Sequence, residues 1–153
     1  MLCLSQSVGY AIQALASLEA NPEASRLIRE IAEDSGVPAP YLTKLLQKLS
    51  EADIVTSKRG YKGGVTLKRP ASTITLLEIS EAIDGRKWLG RCLLGLEECS
   101  DARACPTHAF WKSARADIEK KLCKTTLANV VAFEAQRRST VAKAHNKSPI
   151  TNN

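Results

Sequence analysis

The sequence predicts a mainly α-helical fold that contains one small β-hairpin. Apolar residues recur at helical spacing in several separate segments, and two β-branched runs flank a glycine-rich turn between residues 54 and 67. A further helical pattern begins at Pro106. With 153 residues, 44% of them hydrophobic and 25% charged, the chain has the composition of a folded domain rather than of a disordered segment. One architecture is therefore expected.

Three helices are predicted before residue 52. The apolar residues of the first recur at helical spacing, and an Asn-Pro pair at 21 and 22 supplies its end: Val8, Ile12, Leu15 and Leu18. Ser25 is placed to cap a short second helix, which Gly36 ends. Pro40 fits the first turn of the third, whose apolar stripe consists of leucines: Leu42, Leu45, Leu46 and Leu49.

A hairpin and three more helices are predicted in the rest of the chain. The runs IVTSK and VTLK are separated by RGYKGG, whose glycines permit positive φ at the tip. Thr75 and Glu78 form a capping box for a fourth helix. A long helix follows Pro106, and Thr125 or Thr126 can cap a last one. The polar residues from about 139 onward are expected to fray.

This order of elements is that of a winged helix-turn-helix, in which the third helix enters the major groove and the hairpin contacts flanking DNA backbone. Residues 54–77 include no acidic side chain, so the hairpin carries a dense positive field. The formal charge of +6 also favours polyanionic partners. Polar and basic side chains predicted to contact DNA lie on the third helix and the hairpin: Tyr41, Lys44, Gln47, Lys48, Lys58, Arg59 and Lys62. A protein-protein module of the same fold is the structural alternative.

The N-terminal segment does not match a signal peptide. It has no basic residue before Arg26, and Ser5, Gln6 and Ser7 interrupt its apolar run. No run approaches the roughly 18 apolar residues that a membrane-spanning helix needs. We therefore expect a cytoplasmic protein without a membrane partner. In that reducing compartment, cysteines are expected to be metal ligands, redox sensors or core residues rather than disulfides.

The stretch RCLLGLEECSDARACPTH contains three of the five cysteines and one of the two histidines. Six residues separate Cys92 from Cys99, five separate Cys99 from Cys105, and two separate Cys105 from His108. No CxxC pair is present, so a zinc ribbon and a thioredoxin-like reaction are disfavoured. The spacing favours a metal or iron–sulfur site, with zinc and reversible thiol oxidation as alternatives. An enzyme is not expected, because the sequence has no nucleotide-binding glycine loop and no Ser-His-Asp arrangement.

Four stretches, taken in order, resemble the Rrf2 family of bacterial winged-helix repressors. They are SVGYAIQALASLE, IAEDSGVPAPYLTKLLQKLSEADIV, SKRGYKGGVTLKRPASTITLLEISEAIDG and CPTHAFW. The resemblance implies that Tyr41, Ser57, Arg59 and Gly60 touch DNA, with Arg59 reaching into a minor groove. Thr43 stands where members of the cluster-binding branch carry glutamate, so the operator preference is not implied.

The same resemblance implies a homodimer on a near-palindromic operator of double-stranded DNA. Its subunits would pair through the long helix, which carries an apolar stripe: Trp111, Ala114, Ile118 and Leu122. The division implied along the chain is a DNA-binding domain at 1–85, a ligand loop at 86–105, dimerisation helices at 106–138 and a flexible tail at 139–153.

The cysteine trio resembles the IscR- and NsrR-like branch of the family, which binds iron–sulfur clusters. The resemblance implies that Cys92, Cys99, Cys105 and His108 hold a cluster, with 2Fe–2S favoured over 4Fe–4S. The gap after Cys92 is one residue longer than is usual in the family. Cys3 and Cys123 lie outside this motif and are interpreted as structural residues. The predicted function is regulation of transcription in response to iron–sulfur status, redox state or nitric oxide.

Overall fold

The computed structural model describes residues 4–19, 25–58, 63–95 and 99–145, with only the backbone described for 138–145. Within these ranges the chain forms helices, one antiparallel hairpin and three short 3-10 turns, which confirms the predicted fold class. The helices are α1 (Gln6–Glu19), α2 (Ile28–Ser35), α3 (Ala39–Glu51), α4 (Leu76–Asp84), α5 (His108–Lys124) and α6 (Leu127–His145). The strands are β1 (Val55–Lys58) and β2 (Gly64–Leu67), and the 3-10 turns are Ala71–Thr73, Trp88–Gly90 and Asp101–Arg103.

Several helix ends follow the predicted local chemistry. The Thr75 hydroxyl accepts a hydrogen bond from the Glu78 amide at 3.2 Å, and the Glu78 carboxylate accepts one from the Thr75 amide at 2.8 Å. This reciprocal pair begins α4 as predicted. Gly36 ends α2 with φ of 69°, in the left-handed region that glycine adopts without strain. Thr126, rather than Thr125, caps α6 by accepting from the amide of Asn129 at 3.4 Å.

Three helix boundaries differ from the predictions. The prediction that Ser25 caps α2 is wrong: the cap is Leu27, whose amide donates to the Glu30 carboxylate at 2.9 Å. Pro106 lies in a turn, and α5 begins two residues later at His108. The α6 backbone continues to His145, beyond the expected fraying point, since its last residues include strong helix formers such as alanine and lysine. The predicted helix end at residues 21 and 22 lies outside the described ranges.

Helix α1 lies at the centre of the core. It packs against α2, α3, α4 and α6, and its buried side chains are Val8, Ala11, Ala14, Leu15 and Leu18. All four leucines of the predicted α3 stripe are buried as well. Burial of each such leucine contributes about 1.5–3 kcal/mol. This packing fixes which face of α3 is turned to solvent.

The hairpin, hereafter the wing (residues 55–67), is attached to the body through Arg26. Its register pairs Ser57 with Val65 and Lys58 with Gly64. The backbone amides of Arg26 and Val65 donate to each other's carbonyls at 3.0 and 2.8 Å. The Arg26 guanidinium also donates to the carboxylate of Asp34 at 2.6 Å. The first half of β2 is therefore attached to the segment that precedes α2.

Among the described residues, no helix is both long and apolar enough to span a bilayer.

A side chain at Gly64 would disrupt the wing attachment. A Cβ there would lie 2.8 Å from the Arg26 carbonyl oxygen, a backbone atom that cannot move aside cheaply. We expect Gly64→Ala to lower the free energy of unfolding by about 1–3 kcal/mol, as overpacking does. Urea unfolding followed by circular dichroism measures this. Gly9→Ala in α1, where a Cβ meets nothing within 4 Å, is the control and should not destabilise. Equal losses in both variants would contradict the prediction.

Candidate functional site

The polar face of α3 is turned to solvent because its leucines are buried on the opposite side. All five side chains predicted for this helix are exposed and share one face: Tyr41, Thr43, Lys44, Gln47 and Lys48. Thr43 and Gln47 also line a cleft of about 730 Å³ between α3 and the wing, together with Ser57 and Lys58. The structure thus brings the predicted residues of the helix and of β1 to a common surface. The other predicted wing residues, Arg59, Gly60 and Lys62, lie outside the described ranges.

Helix α1 contributes to this surface through two residues that the sequence did not indicate. The ring of Tyr41 packs edge-on against Tyr10 with centroids 5.8 Å apart, and its hydroxyl hydrogen bonds to the Ser7 hydroxyl at 2.5 Å. Both contacts join residues far apart in sequence. A serine and a tyrosine three residues apart in a helix are a common pattern. The sequence therefore did not indicate that Ser7 and Tyr10 would contact Tyr41. They hold the Tyr41 phenol in place at the start of α3.

Lys48 reaches away from the open surface towards α4. Its ammonium donates to the carbonyl oxygen of Ile83 at 2.6 Å, at the negative end of the α4 dipole. Gly85, just beyond this carbonyl, is the C-cap at which the ligand loop (residues 86–105) begins. Lys44, by contrast, is exposed and makes no hydrogen bond or ion pair with a described residue. The two predicted DNA-contacting lysines therefore occupy different environments.

The ligand loop is held against α5. The indole N–H of Trp111 donates to the carbonyl of Arg91 at 2.8 Å, next to Cys92 in the chain. The guanidinium of Arg115 donates to the carbonyl of Leu89 at 3.3 Å. These contacts attach the first half of the loop to the first two turns of the helix.

A thiol, an imidazole and a carboxylate form a chain of contacts where the loop meets α5. His108, the first residue of α5, is only 9% exposed. Its Nδ1 lies 3.2 Å from Cys99 Sγ, and its Nε2 lies 2.9 Å from Asp101 Oδ1. Lys112 Nζ pairs with both oxygens of Asp101 at 2.9 and 3.0 Å. The hydrogen bonds from Lys112 and then His108 lower the pKa of Asp101.

Cys105 forms a second polar group with its neighbours. Its sulfur lies 3.3 Å from the Thr107 hydroxyl oxygen. Hydrogen bonds from the Thr107 hydroxyl and backbone N–H lower the pKa of the Cys105 thiol, and one from the Cys92 thiol adds to the effect. A lower pKa increases the thiolate fraction of Cys105, and the thiolate is the form in which cysteine binds metals and attacks oxidants.

The four predicted ligands thus lie as two pairs, Cys99 with His108 and Cys92 beside Cys105. In the described part of the chain, no three Cys, His, Asp or Glu side chains converge as a metal ion requires. The donor chemistry, three half-buried thiols and one imidazole, nevertheless fits zinc or an iron–sulfur cluster. Such a group would have to draw the two pairs together.

The predicted dimerisation stripe is partly covered by its own chain. Trp111, Ala114, Ile118 and Leu122 are half-buried along α5, which packs against α4. Phe110 and Phe133, which the helical stripe did not include, are 67% and 62% exposed.

Comparisons with known proteins identify a family and a shared fold. A model of the Rrf2 family, described as an iron-dependent transcriptional regulator, matches residues 4–132. The chain is 32% identical to the HTH-type transcriptional regulator IscR of Escherichia coli over 80% of this chain and 75% of that protein. It is similar to the solved structure of T. potens IscR, with a TM-score of 0.68, 29% identity and coverage of 88% and 91% of the two chains. CymR, the global cysteine regulator of B. subtilis, has the same fold, with a TM-score of 0.72, 23% identity and coverage of 87% and 98%.

Replacing Lys48 tests whether its hydrogen bond supports the packing of α3 on α4. We expect Lys48→Met to lower the free energy of unfolding by about 0.5–1.5 kcal/mol, because the Ile83 carbonyl loses its donor while the aliphatic stem is kept. Urea unfolding at constant pH measures this. Lys44→Met, at an exposed position of the same helix, should change stability by less than about 0.5 kcal/mol. Indistinguishable effects of the two substitutions would show that the bond contributes nothing.

Proposed function

The chain belongs to the Rrf2 family of transcriptional regulators, and from that premise we propose that its ligand loop holds an iron–sulfur cluster whose state controls DNA binding. The family places it among regulators of transcription rather than enzymes. The observation that carries the proposal is the position of three thiols in the segment that joins α4 to α5, followed by His108 as the first residue of α5.

The DNA-binding part of the proposal depends on α3 and the wing. Helix α3 enters the major groove of double-stranded DNA, where Lys44 and Gln47 donate to base edges or phosphates and Tyr41 contacts phosphate. Ser57 and Lys58 of β1 contact the flanking backbone. The proposal adds Arg59, Gly60 and Lys62, with Arg59 reaching into a minor groove. Lys48 supports α3 from its contact with α4 and contributes less to DNA affinity than Lys44.

The residues proposed to hold the cluster are Cys92, Cys99, Cys105 and His108. The mixed set of three thiolates and one imidazole, together with the likeness to IscR, favours a 2Fe–2S over a 4Fe–4S cluster. When bound, such a group can change its redox state or be lost through oxidation, nitrosylation or iron shortage. The chain's own part is to supply the donors and to bring the two pairs together.

Contacts around the loop connect the proposed cluster site to the proposed DNA-binding surface, so that a change in the loop can move α3. Trp111 and Arg115 hold the loop on α5, while Lys48 holds α3 on the end of α4 where the loop begins. In a homodimer paired through α5, a shift of the loop changes the separation of the two α3 helices. Successive major grooves on one side of DNA lie roughly 34 Å apart, so a small shift alters the match to a near-palindromic operator.

The proposed homodimer pairs through the half-buried stripe of α5, Trp111, Ala114, Ile118 and Leu122, with Phe110 as an exposed apolar neighbour. A regulator of this kind acts where the DNA is, so its proposed location is the cytoplasm.

A zinc site or reversible thiol oxidation in the same loop is the second candidate. The lowered pKa of Cys105 and the nearness of Cys92 favour it. A peroxide can oxidise the Cys105 thiolate to a sulfenic acid, which condenses with the Cys92 thiol to form a disulfide and release water. In this variant the DNA-binding module is unchanged and only the chemistry of the loop differs.

The salt dependence of binding tests the DNA-contacting surface. Affinity for duplex fragments selected from genomic DNA should fall linearly in a log-log plot against salt, with a slope of about −0.9 per phosphate contact. Lys44→Met should make the slope shallower by about 1 for each protomer if Lys44 contacts phosphate, or relax sequence preference if it contacts a base. Lys124→Met on α5 is the matched control and should change neither. No DNA binding at low salt would overturn the assignment.

Replacing the three loop cysteines tests the switch. The variant Cys92→Ser, Cys99→Ser, Cys105→Ser should differ from the cluster-loaded protein by about 5- to 150-fold in affinity for at least some promoter fragments, the usual range of allosteric coupling. Cys123→Ser, at an exposed cysteine outside the loop, should bind as the wild type does. Equal binding of the triple variant and the loaded protein to every fragment would refute control by the loop.

A further inference from the structure

We propose that Asp101, held by Lys112, is a positioning residue that binds the Nε2 edge of His108 and so presents Nδ1 as the ligand atom. The inference rests on the proposed function, because it concerns how the imidazole is prepared for a metal group. It extends that function by naming the ligating atom and a carboxylate that the spacing of the cysteines does not indicate.

The two ring nitrogens of His108 contact different partners. Nδ1 faces the sulfur of Cys99 at 3.2 Å. Nε2 faces the carboxylate of Asp101 at 2.9 Å. Since the side chain of His108 is only 11% exposed, its ring has little freedom to exchange these partners for water.

The partner at Nε2 determines where the proton of a neutral ring lies. The oxygens of Asp101 accept from Lys112 and lie 2.9 Å from Nε2, so Nε2 is the ring nitrogen placed to donate a hydrogen in this contact. A neutral imidazole with its hydrogen on Nε2 has its lone pair on Nδ1, where the Cys99 S–H can donate to it. The nitrogen that faces the Cys99 thiol is therefore the one able to bind a metal.

Local chain geometry explains why these groups meet. Asp101 begins the 3-10 turn Asp101–Arg103, two residues after Cys99. His108 and Lys112 lie four residues apart at the start of α5, so they share one face of the helix. The turn docks on this face, and the carboxylate bridges His108 and Lys112.

The high exposure of Asp101 and Lys112 indicates that the Asp101 carboxylate orients His108 and contributes little to stability. The side chains of Asp101 and Lys112 are 76% and 59% exposed, and exposed ion pairs contribute little to folding. Water could satisfy Nε2 in the absence of the carboxylate, but it would accept or donate equally well. Only the carboxylate fixes the direction of the hydrogen bond.

The direct test is the tautomer of His108 in the metal-free protein, read from long-range nitrogen–proton correlation spectra at pH 8 with the thiols reduced. The chain has only two histidines, so His145→Gln assigns the signals. We expect the wild type to carry the hydrogen on Nε2 and Asp101→Ala to show a mixture of tautomers. Asp117→Ala, which removes an exposed acid elsewhere on α5, should match the wild type. An unchanged tautomer in Asp101→Ala, or a hydrogen on Nδ1 in the wild type, would overturn the inference.

A second measurement on the reconstituted protein connects this placement to metal binding. We expect Asp101→Ala to lose iron to a chelator about tenfold faster than wild type, at the low end of the usual effect for a carboxylate behind a histidine ligand. Equal rates would contradict the role of Asp101 towards the cluster. A wild type that takes up no iron would refute the proposed function and this role together, while the tautomer spectra would still decide whether Asp101 orients His108.

Discussion

The packing of α1 against α2, α3, α4 and α6 is the constraint on which the rest of the structure depends. Because this packing buries the leucines of α3, the polar face of that helix must be turned outward. The same packing sets the end of α4 beneath Lys48, whose hydrogen bond to Ile83 marks the point where the ligand loop begins. The proposed DNA-binding surface and the start of the ligand loop therefore belong to one packed unit.

Local chemistry made much of the fold predictable. The capping box at Thr75, the glycine that ends α2 and the leucine stripe of α3 all depend on residues within one or two helical turns, and each was found where the pattern indicated. Ser25 does not cap α2, because the Glu30 carboxylate accepts a hydrogen bond from the amide of Leu27, where the helix begins. Contacts between distant segments, such as Lys48 with Ile83, had no sequence signal because only the packed helices bring them together.

The candidate site, too, was only partly predictable from the sequence. The types and spacing of Cys92, Cys99, Cys105 and His108 predicted metal or redox chemistry, and the family assignment shows that the chain is a transcriptional regulator. Spacing alone gave no hint that the donors lie as two pairs, or that Asp101 accepts from the far edge of His108. Those features depend on how the turn at 101–103 docks on α5, which helical periodicity does not encode.

The most direct test of the account is the metal content of the protein purified and reconstituted without oxygen. Iron, acid-labile sulfide and zinc are measured per chain beside the visible absorption spectrum, for the wild type and for His108→Ala. The account predicts iron and sulfide in equal amounts, a visible charge-transfer band, and a spectrum altered by the loss of His108. A colourless wild type that binds only zinc, or no metal after reconstitution, would contradict it.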